Sequence, residues 1–290
     1  MDRPNADAKT RRHPREKRRG RWWRIALILL TALILYSMIE SSNPVTNRVT
    51  LADADVPAAF DGYKIVFVAD VHYGPFLTKE QLNALIEKIN KEDADLVLLG
   101  GDYIRYDTRD FVVVENAFKG IRAKDGVYGV LGNHDIWNGS EAALKCFADD
   151  GITDLDNASA RIEKGGQNIV LSGAAEAQYG HPDVPGALGG ISENDLNIFV
   201  THNPLLFANG AQKSYTKYID LALMGHTHGG QISFFGLFSF WNDEFAEFYR
   251  PAIREREGLK YILTNGYGTS VVPFRFFVPP QMHVITLKRI

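Results

Sequence analysis

Short apolar runs recur along the chain, and each one stops at a cluster of polar residues. Lys64–Ala69, Leu96–Leu99, Gly126–Leu131, Asn197–Val200 and Leu221–Met224 all read this way. Continuous rather than alternating apolarity marks strands buried on both faces, so these segments predict a covered sheet. Helical spacing lies between them. Leu82, Leu85, Ile86 and Ile89 share one face of a helix over Thr78–Asn90, with Thr78 as its N-cap. Further helices are predicted over Phe111–Lys119 and over Ser140–Asp149, the second capped by Ser140. From Gly151 to Gly190 the pattern weakens into short β-like pieces such as Asn168–Ser172 among Gly- and Pro-rich loops. Lys260–Thr264 and Met282–Leu287 read as closing strands. Strands alternating with helices predict an α/β fold.

The N-terminus follows a different pattern. Residues 1–21 are Arg-rich and polar and are expected to be disordered. Residues 22–39 are apolar except for Arg24, Thr31 and Ser37, with Trp22, Trp23 and Tyr36 near the ends, where interfacial aromatics belong. Three readings compete: a single-pass signal anchor, a cleaved signal peptide and a twin-arginine export signal at Arg18-Arg19. No small-x-small site directly follows the apolar run and the residues after Arg18-Arg19 fit that export pattern poorly, so the anchor is favoured. Residues 40–58 then form a tether, and 59–290 the folded domain. Charge sharpens this division, with +7 over residues 1–24 and −10 over the rest of a chain of net −3. Under the positive-inside rule the basic head stays in the cytoplasm and the domain lies outside it. An acidic body with a basic head does not suit nucleic-acid binding. The single cysteine, Cys146, excludes an intramolecular disulfide and a Cys-rich zinc site, and reads as a buried small hydrophobe.

The polar clusters carry the chemistry. Asp70-Val71-His72 places a carboxylate and an imidazole two residues apart at a strand end, a hard oxygen beside a borderline nitrogen. In isolation such a pair is more often a solvated turn. Asp102 follows Gly100-Gly101 at the end of the next strand, where open α/β sheets bind ligands. Gly132-Asn133-His134-Asp135 offers an amide oxygen and an imidazole that could face a reacting phosphate. His202 sits at a strand tip stopped by Pro204. Gly225-His226-Thr227-His228-Gly229-Gly230-Gln231 sets two histidines one residue apart, so that each can serve a different metal ion or two sides of one cluster. Five of the eight histidines fall in these clusters.

In this order the blocks resemble the calcineurin-like metallophosphoesterase superfamily over residues 60–290. The Gly225–Gln231 run, with Gly266-Tyr267-Gly268-Thr269-Ser270 and Pro273-x-Arg275, is similar to membrane-associated bacterial phosphodiesterases of the YkuE/YaeI type. The resemblance implies a four-layer α/β/β/α sandwich with two divalent metal ions, Mn, Fe or Zn. Asp70, His72 and His228 would hold the first metal, and Asn133, His202 and His226 the second, with Asp102 between them and His134 as general acid or charge stabiliser. It further implies hydrolysis of a phosphodiester or pyrophosphate, lipid-linked or otherwise associated with the envelope, at the bacterial cytoplasmic membrane. Arg275 is a candidate phosphate contact, a structural ion pair being the alternative. Tyr103, Arg105 and Tyr267 depart from residues that relatives carry. The aromatic stretch Phe234–Tyr249 could form an apolar lip for an acyl chain or the bilayer. Rival readings are a UDP-2,3-diacylglucosamine-type pyrophosphatase, which would need the domain in the cytoplasm, a protein phosphatase, and a metal-binding scaffold without catalysis.

Overall fold

A computed structural model describes residues 14–233 and 252–290. The aromatic stretch 234–249 and the head up to residue 13 lie outside the described residues. Helix α1 runs Pro14–Ser41, opening on a proline, the residue best suited to a first helical position. Residues 14–21, expected to be disordered, are thus helical.

The rest of the described chain forms two six-stranded mixed sheets. The first is built from β1 (Val45–Asp53), β2 (Lys64–Val68), β3 (Leu96–Leu99), β4 (Val127–Gly129), β5 (Ile152–Asp154) and β12 (Gln281–Arg289), in the order β1-β12-β2-β3-β4-β5. The second contains β6 (Ala158–Lys164), β7 (Gln167–Ala174), β8 (Asn197–Thr201), β9 (Leu221–Met224), β10 (Arg254–Arg256) and β11 (Leu259–Leu263), in the order β10-β11-β9-β8-β7-β6. Alternate residues of each strand go to opposite faces. Ile65, Phe67, Leu96 and Leu98 meet Ile198, Val200, Leu221 and Leu223 in the core between the sheets.

The outer face of the first sheet takes Val66, Val68, Val97 and Leu99 and is covered by α2 (Lys79–Lys91), α3 (Phe111–Phe118) and α4 (Asn133–Asp150). Helix α2 buries the predicted face, and Thr78 caps it by accepting from Gln81 N while the Gln81 side chain accepts from Thr78 N. The outer face of the second sheet has a thinner cover: the one-turn α5 (Val184–Ala187) and 3-10 turns that bring in Leu206 and Phe207.

Two boundaries differ from the sequence reading. Residues 45–53 are no free tether, because β1 pairs in parallel along its whole length with β12. Leu51 is its one fully buried side chain, so this edge strand is held chiefly by its backbone. Helix α4 begins at Asn133 rather than near Ser140, and a break at Gly139 (φ 130°, ψ 88°) divides it where the expected cap lies.

Candidate metal centre

Strands β2, β3 and β4 run parallel in one sheet, and β8 and β9 in the other, so the polar clusters after them emerge on a common edge. The loops continue the pairing past the strands: Asp70 N donates to Gly101 O and His72 N to Asp102 O, both at 2.9 Å. His226 N donates across the sheets to Asp70 Oδ1 at 2.9 Å. Asp70, His72, Asp102, His226 and His228 all adopt positive φ, between 48° and 71°. Non-glycine residues hold that conformation at a cost of about 1–3 kcal/mol each, and such strain gathers at functional sites. Glycine permits the close approach. A methyl group on Gly266 (φ 72°) would lie 2.5 Å from Asp70 Cβ, and one on Gly132 would collide with the Asp102 carboxylate.

The side chains converge in three overlapping sets. Asp70, His72 and His228 bring ligand atoms within 4.8 Å of one another, as do His72, Asp102 and His134, and Asp102, His202 and His226. Asp102 is the shared carboxylate of the last two sets; its Oδ2 lies 3.4 Å from His72 Nε2 and 3.2 Å from His202 Nε2. Asn133 Oδ1 lies 2.8 Å from His226 Nδ1. Backbone carbonyls fix which ring nitrogen is presented. His202 Nδ1 donates to Gly100 O and His134 Nδ1 to Arg105 O, both at 2.7 Å, which leaves their Nε2 atoms for the site.

Charge and satisfaction test the fit of a cation. Burial pushes His72 down to about 3 and His226 down to about 4, and holds His228 well below the usual imidazole range, so these rings are neutral at pH 7, as ligands must be. His72 Nε2 and His228 Nε2 face each other at 2.9 Å. Burial pushes the Asp70 carboxyl up to about 7, and its Oδ2 is buried without a hydrogen-bond donor. A buried carboxylate oxygen without a donor, set beside closely approaching imidazoles, suits a positive ion. For His202, burial opposes the proton but the Asp102 carboxylate raises it to about 10. The donor set is nitrogen and oxygen with no thiolate, and it accepts borderline divalent metals.

All of the metal-ligand candidates thus stand in one cluster with His134 at its margin. Residues 63–230, more than half of the chain, match the calcineurin-like phosphoesterase family. The chain belongs to that family. It is 29% identical over 249 residues to the uncharacterized metallophosphoesterase YkuE of Bacillus subtilis (strain 168), covering 84% of this chain and 85% of that one. It is 25% identical over 278 residues to a transmembrane protein with metallophosphoesterase domain of Danio rerio, covering 91% of this chain and 62% of that one. Among solved structures, a dimetal phosphatase from Danio rerio aligns with a TM-score of 0.46 at 12% identity, over 71% of this chain and 88% of that one. The buried His/Asp clusters of this phosphoesterase fit the dinuclear metal site typical of the family.

One predicted contact lies away from the open side of the site. Arg275 is fully buried. Its guanidinium donates to the carbonyls of Asn265 (2.7 Å), Gly266 (3.3 Å), Val278 (3.2 Å) and Gly268, and Nη2 lies 3.2 Å from His228 Nδ1. Burial brings its pKa down to about 10, so it remains a cation. It clamps the loop that packs Gly266 on Asp70, and among the described residues its bonds go to carbonyls and His228 rather than to a carboxylate.

Two organisers carry no expected role. Asp135 is fully buried and accepts from the backbone N–H groups of Asp102 (2.7 Å), Tyr103 (2.9 Å) and Gly132 (2.9 Å), tying two ligand loops together. Its place three residues after Gly132, at the start of a helix, was the available signal. Gln231 donates to Val272 O and Phe274 O and accepts from Ser270 N, fixing the loop that carries Arg275.

Proposed function

We propose that this phosphoesterase is a membrane-anchored phosphodiesterase that cleaves a phosphodiester or pyrophosphate in a lipid- or envelope-associated substrate, using two divalent ions from the set Mn, Fe and Zn. The observation that carries the reading is the position of Asp102. Its Oδ1 accepts from His134 N at 2.8 Å while its Oδ2 faces His72 and His202, so one carboxylate ties the general-acid candidate to both ligand sets. Asp70, His72 and His228 would hold one ion, and Asn133, His202 and His226 the other, with Asp102 between. Two divalent ions bound there would supply activation of water at neutral pH and neutralisation of phosphoryl charge. The ester P–O bond would be exchanged for a P–OH bond from water, with His134 acting as the imidazolium: its Nε2–H would pass to the departing alkoxide and be replaced by the proton the water gives up, giving a monoester and an alcohol.

A diester is favoured over a monoester because the two arginines packed on the site's loops are already engaged. Both are buried: Arg275 donates to backbone carbonyls, and Arg105 to the carbonyls of Thr269 and Ser270 and to the Tyr106 hydroxyl, so neither head group is exposed to meet the second charge of a monoester. The anchor reading rests on Arg21–Ser41, a 21-residue apolar helix with mean hydropathy 1.9 whose side chains are mostly exposed. Such a helix reaches about 30 Å, the thickness of a bilayer core. The basic head favours a cytoplasmic N-terminus with the domain on the extracytoplasmic face of a bacterial cytoplasmic membrane.

The test compares bis-p-nitrophenyl phosphate with p-nitrophenyl phosphate on metal-stripped and Mn-loaded protein. The reading expects Mn-dependent turnover that favours the diester. Preference for the monoester, or turnover unaffected by chelation, overturns it.

A further inference from the structure

The open side of the metal cluster is ringed by aromatic side chains that no core uses. Tyr106 is 61% exposed, Trp137 54% and Tyr179 46%, and none belongs to the three apolar cores. Trp137 follows His134 by three residues in α4, which puts both on one helical face, with ring centroids 5.0 Å apart. Tyr179, arriving from the loop after β7, sets its ring at 76° to that of Trp137 with centroids 5.1 Å apart. Tyr106 lies 6.2 Å from the His134 ring.

These rings are held as well as exposed. The Tyr106 hydroxyl accepts from Arg105 Nη2 at 2.8 Å, and the guanidinium carbon lies 4.6 Å from the ring centroid. Arg105 is itself buried and anchored on the carbonyls of Thr269 and Ser270. Trp137 is braced on one side by His134 and on another by Tyr179. Contiguous aromatic surface left in water, pinned by its neighbours and placed at a catalytic mouth, is how binding sites present themselves. His134 borders Tyr106 and Trp137, and Tyr179 extends the rim beyond Trp137, so the rim meets whatever hangs on the ester oxygen that His134 protonates.

We infer that Tyr106, Trp137 and Tyr179 form a leaving-group subsite that selects an alcohol bearing a ring, taken by its flat face if aryl or by its C–H face if a sugar. The inference rests on the phosphodiesterase reading above and names its substrate class. Rigid aromatic side chains, with two rotatable angles, suit rigid ring faces at small entropic cost. A flexible alkyl chain is better met by deformable aliphatic linings, and none of the three rim residues is aliphatic. The rim side chains are also uncharged, so the selected group is neutral where it touches them.

The test uses full-length Mn-loaded protein in detergent with three diesters whose leaving alkoxides are similar in basicity: dibenzyl phosphate, the methyl diester of glucose 6-phosphate, and dibutyl phosphate. At least one ring-bearing diester should exceed dibutyl phosphate in kcat/KM by about tenfold, the effect of one stacked ring. Trp137→Ala should remove that preference mainly through KM, and Trp137→Phe should restore most of it. The benzyl and sugar arms distinguish the two kinds of ring. Equal turnover of ring and chain diesters, or a Trp137→Ala loss shared equally by all three, overturns the subsite. Calorimetric binding of benzyl phosphate and of glucose 6-phosphate against butyl phosphate separates the two ideas. Ring-selective binding without turnover of any diester refutes the phosphodiesterase and keeps the subsite, whereas equal affinities refute the subsite whatever the turnover.

Discussion

The two flanks of Asp102 differ in what surrounds them. On one flank Asp70, His72 and His228 are buried, and their loops are held by Gly266 against Asp70 and by Arg275 beside His228. On the other, His134 is only half-buried and opens onto Tyr106, Trp137 and Tyr179. On the closed flank burial keeps the imidazoles neutral. The open flank can reach solvent-borne groups. The contrast separates holding a cation from meeting an ester, and substitutions should divide along the same line.

Asp102 belongs to both flanks and should show the largest effect. Asp102→Asn leaves an amide between His72 and His202, removes the charge that raises His202, and should abolish diester hydrolysis. Elemental analysis should find fewer than two metals per chain. Full metal content in an inactive variant would move Asp102 from metal holding to catalysis alone. On the open flank, His134→Ala should lower kcat by about 10²–10⁴-fold, the usual worth of a positioned proton donor, while metal content stays that of the parent. Loss of metal together with rate would place His134 on the closed flank after all.

Arg275 tests the closed flank from behind its ligands, touching the set only at His228 Nδ1. Arg275→Met strands four carbonyls and should cost about 3–5 kcal/mol in urea unfolding, as removal of a buried charge from its partners does. It should also weaken metal binding by about 10–100-fold through His228 and the loop on Asp70. Arg275→Lys should recover only part of either, since one ammonium cannot reach carbonyls spread from Asn265 to Val278. A variant of normal stability with weakened substrate affinity would return Arg275 to the substrate.

The sequence exposed the parts of this site that depend on residue type and order, and hid those that depend on direction. Apolar runs ending in Asp70, Asp102, Asn133, His202 and His226 were legible because strands buried on both faces must be continuous in sequence. Arg275 was not, because a charge beside an apolar tail reads the same whether it faces a substrate or four nearby peptide carbonyls. Strand β1 was hidden by its edge position. Val45-Thr-Asn-Arg-Val-Thr-Leu alternates only weakly, and its partner β12 lies more than 200 residues onward, as in the pairing of Val45 with Gln281. The start of α4 was hidden because Asn133, His134 and Asp135 are turn formers and Gly139 interrupts the helix they begin.

Asp220 supplies the smallest effect and a control remote from both flanks. It immediately precedes β9, at the opposite end of that strand from His226, and its Oδ2 accepts from Asn197 N at 2.7 Å. Burial raises its pKa to about 6, against the Asn197 hydrogen bond, which lowers it. The folded value therefore lies above the unfolded one of about 3.9, so the folded state binds the proton more tightly. The stabilising contribution is complete below about pH 4 and is lost as pH rises through about 6, beyond which the chain carries a buried charge. Asp220→Asn keeps an oxygen for Asn197 N and removes the charge. It should stabilise the protein by about 1–2 kcal/mol at pH 7, have little effect at pH 4, and leave metal content and diester turnover unchanged. Chemical denaturation at the two pH values reads the sign directly. Equal effects at both would mean that the carboxyl titrates as it does in the unfolded chain, and a loss of metal would mean that the two ends of β9 are coupled through the sheet.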